Sequence, residues 1–103
     1  MIEVIVSGSA QACPHCESQI KNVRSAFSEQ KYRIIELGTE EFNQYDLRER
    51  VDAVPFVVIR DDSGKIKYAQ KGRLEEGTIR RIQKSNLYKT FNLRETRATV
   101  LSA

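Results

Sequence analysis

The sequence predicts an α/β domain with the element order β-α-β-α-β-β-α, on three observations. Short runs rich in β-branched residues, at 2–7, 32–37 and 54–59, alternate with stretches in which apolar residues recur every three or four positions. A turn sequence, Asp61-Asp62-Ser63-Gly64, joins the third run directly to a fourth. The 103 residues, 40% hydrophobic and 30% charged, suit one globular core and not a disordered chain.

The first strand, Ile2-Glu3-Val4-Ile5-Val6-Ser7, is short and β-branched, as a buried strand should be. Ser7 to Ala12 reads as a loop around Gly8. At Pro14 the period changes. Cys13, Cys16, Ile20, Val23 and Phe27 fall on one side, with Glu17, Lys21, Asn22 and Arg24 on the other, which predicts an amphipathic helix over 14–29. Pro14 suits the first turn, where its missing N–H costs nothing. Tyr32 to Leu37 is the second strand, closed by Gly38. Thr39 opens a second helix, predicted to run to Arg50, with Glu40 and Glu41 at its start and arginines at its end in keeping with the helix dipole. Val54-Pro55-Phe56-Val57-Val58-Ile59 is apolar almost throughout and is expected to be buried on both faces. Lys65 to Lys71 returns antiparallel to it, Gly72 breaks the strand, and Leu74, Ile79 and Ile82 line the core side of a last helix ending near Asn86. Phe91, Leu93, Val100 and Leu101 give the remaining residues apolar content but no clean period.

No apolar run reaches the roughly 18 residues of a membrane span, and Met1 to Val6 does not read as an export signal, so a cytoplasmic location is expected. The net charge of +3 is uneven: residues 1–59 carry six basic and nine acidic residues, residues 60–103 eleven and five. The basic half either prefers anionic partners or is a solvated face; it holds no dense arginine run, so nucleic acid is not an expected partner.

Cys13 and Cys16 are the whole thiol inventory, and in a reducing compartment a close pair points to redox chemistry or metal. Cys13-Pro14-His15-Cys16 stands where a loop enters a helix. The spacing puts both sulfurs on one face of the first turn, close enough to bridge. A sulfur at the helix start meets free N–H groups and the positive end of the dipole, which favour the thiolate, the nucleophilic form. Pro14 stiffens the turn, and His15 places an imidazole beside Cys13 that either tunes the thiolate or is merely solvated. A thiolate favoured in this way makes the disulfide easier to reduce and the pair more oxidising. A closed zinc site needs four ligands, and the motif offers two cysteines and one histidine, so no metal is expected without a second chain or an acid such as Glu17. Pro55 is accounted for by the tolerance of proline at a strand's first residue, or by a cis bond that exposes the Val54 backbone to an added substrate strand.

These features resemble the thioredoxin fold shared by thioredoxins, glutaredoxins and periplasmic disulfide oxidases. Over about residues 2–87, Val4-Ile5-Val6-Ser7-Gly8-Ser9 leading to Cys13-Pro14-His15-Cys16 resembles the opening of a glutaredoxin, and the Pro14-His15 dipeptide is typical of the periplasmic oxidases. Val54-Pro55 is similar to the family's cis-proline, opposite the cysteines, and Gly72-Arg73-Leu74 with Gly77 and Ile79 resembles the last turn and helix of a thioredoxin. The chain departs from the family in having no Trp, in Ser7 where thioredoxin carries a buried Asp, and in Gly72-Arg73 where glutaredoxins carry Gly-Gly.

The resemblance implies a four-stranded mixed sheet flanked by three helices over residues 1–87, with 88–103 as an extension that is either docked or frayed. It implies a thiol-disulfide oxidoreductase in which Cys13 attacks, Cys16 resolves, and Pro14 and His15 tune the pair. Val54, Pro55, Gly72 and Arg73 would contact the substrate, and Lys71 and Arg73 the carboxylates of glutathione. No cofactor is expected to bind tightly; glutathione or a flavoprotein reductase would return the electrons. The partner would be a protein disulfide, ribonucleotide reductase among the candidates, or a glutathione adduct, met by a monomer. The rival readings are a disulfide oxidase or isomerase on the same fold, and a non-catalytic binding adaptor.

Overall fold

A strand with apolar residues on both faces has to lie between layers, and β1 (Ile2–Val6) is fully buried along its length. The computed structural model describes residues 1–8 and 13–85, so the expected boundary at residue 87 and the extension 88–103 lie outside the described residues. β1 is followed by α1 (Pro14–Ala26), β2 (Tyr32–Glu36), α2 (Glu40–Asn43), β3 (Phe56–Arg60), β4 (Ile66–Lys71) and α3 (Glu76–Lys84). The four strands form one mixed sheet in the order β2-β1-β3-β4. β1 pairs parallel with β2, which requires a crossover connection, here through α1. It pairs antiparallel with β3, and β3 antiparallel with β4.

The period of two along β1 and β3 divides the core between the faces. Ile2, Val4 and Val6 with Val57 and Ile59 meet Cys16 and Val23 of α1 and Ile79 of α3. Ile5 with Phe56 and Val58 meets Ile35, Ala69 and Tyr45, with Phe42 and Leu47 at the margin. The hairpin between β3 and β4 is held by the Asp61 carboxylate, which accepts from the backbone N–H groups of Ser63 and Lys65, both at 2.9 Å. Gly64 takes the left-handed φ of 88° that this turn needs.

The helices differ from the predicted spans for identifiable reasons. α1 stops at Ala26, not at residue 29, because Arg80 of α3 donates to the Ala26 carbonyl at 2.9 Å and lays its guanidinium over the Phe27 ring at 4.6 Å. Phe27 is already extended, and Glu29–Lys31 form a separate 3-10 turn. The predicted helix to Arg50 is a single turn. Thr39 caps it by accepting from the Phe42 N–H at 3.2 Å, but after Asn43 the chain turns to carry Tyr45 into the core, and the arginines fall in a 3-10 turn at Arg48–Arg50. α3 begins at Glu76 and not at Leu74, whose backbone is held by a side chain of α1. A bulge on β4 sets Lys67 between the pairs Ile59–Tyr68 and Arg60–Ile66, and its ammonium donates to the Gln83 carbonyl at 2.9 Å, near the carbonyl end of α3. No helix among the described residues is long and apolar enough to cross a membrane.

The face carrying α2 contains a buried acid. Glu3 is 4% exposed, and its carboxylate accepts from the Tyr45 hydroxyl at 2.6 Å and from Arg60 Nε at 2.9 Å. Arg60 also grips Asp46 with Nη2, at 2.7 and 3.0 Å, so the buried charge is paired and bonded as burial demands. Burial works against the Arg60 charge, but the bonds to Glu3 and Asp46 together outweigh it and raise its pKa. Burial, then the bond to Glu3 and its negative charge, push the Tyr45 phenol well above its ordinary value. A phenol that holds its proton more tightly when folded stabilises the fold fully below the unfolded pKa of about 10, and loses that contribution as pH rises further. Between about pH 10 and 12, wild type should therefore lose up to about 1.4 kcal/mol per pH unit relative to Tyr45→Phe. Urea unfolding of both proteins across that range measures it; parallel curves would refute it.

Candidate functional site

β1 ends at Val6, and α1 starts at Pro14 with its first turn against the inner core. Cys13 is the N-cap residue and Pro14 the first helical residue, which has no N–H to leave unsatisfied. The Cys16 N–H donates to Cys13 Sγ at 3.2 Å, so the sulfur takes the place that a serine or aspartate oxygen has in a conventional cap. The two residues are joined by a disulfide, with Cα atoms 5.2 Å apart. Their surroundings differ: Cys13 is half-buried at the core's margin, whereas Cys16 is 0% exposed within it. Pro14 and His15 are exposed, and among the described residues His15 has no hydrogen-bond partner. Such an arrangement can present one sulfur to a partner while withholding the other. Should the disulfide open, the helix N-terminus keeps a donor aimed at Cys13, where a bond to a charged group is worth roughly 1.5–3 kcal/mol.

The Val54–Pro55 bond is cis, the geometry the resemblance implies. Val54 packs at the margin of the same cluster as Cys13 and Cys16, and Pro55 is buried at the entry to β3. The Pro55 carbonyl accepts from the Gly72 N–H at 2.7 Å, just past the end of β4. Gly72 has a φ of 88°, a left-handed conformation that a side chain would strain. The chain then crosses to α1. The Gln70 amide donates to the Arg73 carbonyl at 3.1 Å, and Arg73 Nη1 donates to Ser18 Oγ at 2.8 Å. The Leu74 N–H donates to Gln19 Oε1 at 2.6 Å, and Gln19 Nε2 donates to the Leu74 carbonyl at 3.1 Å.

Residues 72–74 are thus a strap with one end on Pro55 and the other on α1. The sequence-predicted residues Cys13, Cys16, Val54, Pro55, Gly72 and Arg73 converge on the N-terminal half of α1 and on this strap. Lys71 stands apart: it pairs with Phe56, whose ring lies in the core on the α2 face. Among the described residues, no three His, Cys, Asp or Glu side chains form a group able to hold a metal ion.

Three contributors escaped the sequence reading. Ser18 and Gln19 anchor the strap, and Glu3 anchors the far side of the sheet. Gln19 left a faint trace as a polar residue inside the apolar stripe of Cys16, Ile20 and Val23. Its side chain is 0% exposed, so its amide is spent on the Leu74 backbone. Gln19→Leu would bury that N–H and carbonyl without partners, and should lower stability by about 2–4 kcal/mol in urea unfolding. A loss below about 0.5 kcal/mol, the scale of an ordinary surface substitution, would show that the bonds are dispensable.

No family model matches the chain, and neither a curated protein nor a solved structure matches it.

Proposed function

We propose that this chain is a thiol-disulfide oxidoreductase of thioredoxin-like fold, reducing protein disulfides or glutathione mixed disulfides through Cys13 and Cys16. The observation that carries the reading is the unequal pair: a half-buried sulfur capping α1 and a fully buried one a turn later, within bonding distance. In the reduced protein the Cys13 thiolate attacks one sulfur of the substrate disulfide, and the other leaves with the bonding electron pair. Cys16 attacks Cys13 Sγ as its proton passes to the first substrate thiolate, which releases the second substrate thiolate and closes the Cys13–Cys16 bond. The substrate gains the two electrons the protein loses. The Val54 backbone before Pro55 offers an edge along which an extended substrate can lie. Glutathione or a flavoprotein reductase would reduce the protein disulfide again, in a reducing compartment such as the cytoplasm.

Run in reverse, the same two steps oxidise a substrate, and the partner's potential sets the direction. His15, exposed beside Cys13, brings an imidazole N–H that can donate to the thiolate, which draws the pair toward the oxidising end.

With reduced protein and a disulfide-bonded protein substrate, Cys13→Ser should fall to the uncatalysed background. Cys16→Ser should accumulate a one-to-one mixed disulfide through Cys13, visible by mass spectrometry. Activity retained by Cys13→Ser would end the proposal. His15→Gln should lower the reduction potential by on the order of 30 mV, a tenfold change in the equilibrium with a glutathione buffer. An unchanged or higher potential would remove His15 from the mechanism.

A further inference from the structure

The strap of residues 72–74 joins the two walls of the site by backbone and side-chain hydrogen bonds. On one side the Gly72 N–H holds the Pro55 carbonyl at 2.7 Å. On the other, Leu74 is gripped through both its backbone groups by Gln19, at 2.6 and 3.1 Å, and Arg73 is tied to Ser18 at 2.8 Å. Gln19 lies one turn beyond Cys16 on the buried face of α1 and is wholly enclosed. A leucine would fill that volume without a polar group of its own, but it would leave the Leu74 N–H and carbonyl unsatisfied. What a glutamine adds is a fixed separation: its amide pairs with Leu74 as a neighbouring strand would, and tolerates little slip along or away from it.

We infer that Gln19 is a positioning residue, acting through Leu74 and Gly72 to set the gap between the sulfur of Cys13 and the Val54–Pro55 edge, and that this gap selects substrates carrying their disulfide in an extended peptide. The inference rests on the exchange chemistry proposed above. Cys13 and Cys16 share one helical turn, so the strap does not govern whether they can bridge. It governs how α1 stands against the strand edge. A substrate that lies on that edge while its sulfur reaches Cys13 depends on both walls at once. A small disulfide with no peptide backbone depends on the sulfur alone.

Two chromogenic probes with one leaving group separate these cases. The first is an unstructured peptide whose single cysteine is bonded to thionitrobenzoate; the second is the peptide-free symmetrical disulfide of thionitrobenzoate. Each is mixed with stoichiometric, pre-reduced protein. Attack by Cys13 on the peptide sulfur forms the mixed disulfide and expels thionitrobenzoate with the electron pair of the broken bond. Cys16 then closes the protein disulfide and frees the peptide thiolate.

Gln19→Leu, measured where circular dichroism shows it folded, should release thionitrobenzoate from the peptide about tenfold more slowly than wild type, but from the peptide-free probe within about twofold of it. Ser18→Ala, a change at a half-buried position that loosens the same strap, should show the same selectivity at about threefold, and it decides the matter if Gln19→Leu does not fold. Equal losses on both probes, as a merely structural residue would give, or no loss on either, overturn the assignment. Wild-type protein that reacts with neither probe overturns the exchange reading itself, a result distinct from any the variants can produce.

Discussion

The resting place of the first turn of α1 is the constraint on which the rest of this structure depends. A helix N-terminus supplies N–H groups wherever it lies, but only here, with Val54 packed at the margin of the same cluster, do they meet the half-buried sulfur of Cys13. Two kinds of interaction fix that place. The inner face of β1 and β3 provides the non-directional part, burying Cys16 and Val23 against Val4, Val6 and Val57. Burial alone would let the helix slide, because apolar contact has little angular preference. Gln19 provides the directional part, with both amide groups engaged on one backbone residue.

The two faces of the sheet solve different problems. The α1 and α3 side buries that amide among apolar side chains, and its helices are closed by cations from neighbouring elements: Arg80 at the end of α1 and the buried Lys67 at the end of α3. The α2 side has only one short helical turn to cover it. Its deficit is made up by Tyr45 and Leu47 from irregular backbone, beside Phe42 of α2, and by the ion network on Glu3. Irregular chain can cover a sheet only if its polar groups find partners, and Arg60 does much of this work, reaching Glu3, Asp46 and the Gly64 carbonyl.

What was legible in the sequence follows the same division. The strands, the helix after Pro14 and the cysteine pair were readable because each is encoded locally, by β-branched runs, by a three-and-four spacing, or by adjacent residues. The overlong second helix was not. Glu40, Glu41 and the arginines carry the right dipole pattern, but Tyr45 is worth more in the core than in a continued helix, and local propensity is a weak prior against tertiary burial. Leu74 looked like the first core residue of a helix and is instead the partner of Gln19, 55 positions away in sequence. Neither residue announces the other. Long-range pairing between a side-chain amide and a backbone leaves no period to detect, and the strap became visible only once the chain was folded.

The buried charges of the α2 side have little influence on the sulfurs, and magnitudes decide this. Glu3 lies near the start of β1 and faces α2, while α1 covers the opposite face at the far end of the strand. A strand rise of about 3.3 Å per residue and a layer spacing of about 10 Å put the carboxylate roughly 15 Å from Cys13. Two unit charges at that distance interact by roughly 0.3–1 kcal/mol for effective dielectric constants between about 80 and 20. Arg60, bonded directly to Glu3, cancels most of what remains. The N–H of Cys16, at 3.2 Å, acts on a Cys13 thiolate at contact distance, with the adjoining turn of α1 behind it. Local donors therefore outweigh the distant network several-fold. The protein can hold a buried ion cluster for the stability of one face without shifting the chemistry at the other, because the sheet itself keeps the two apart.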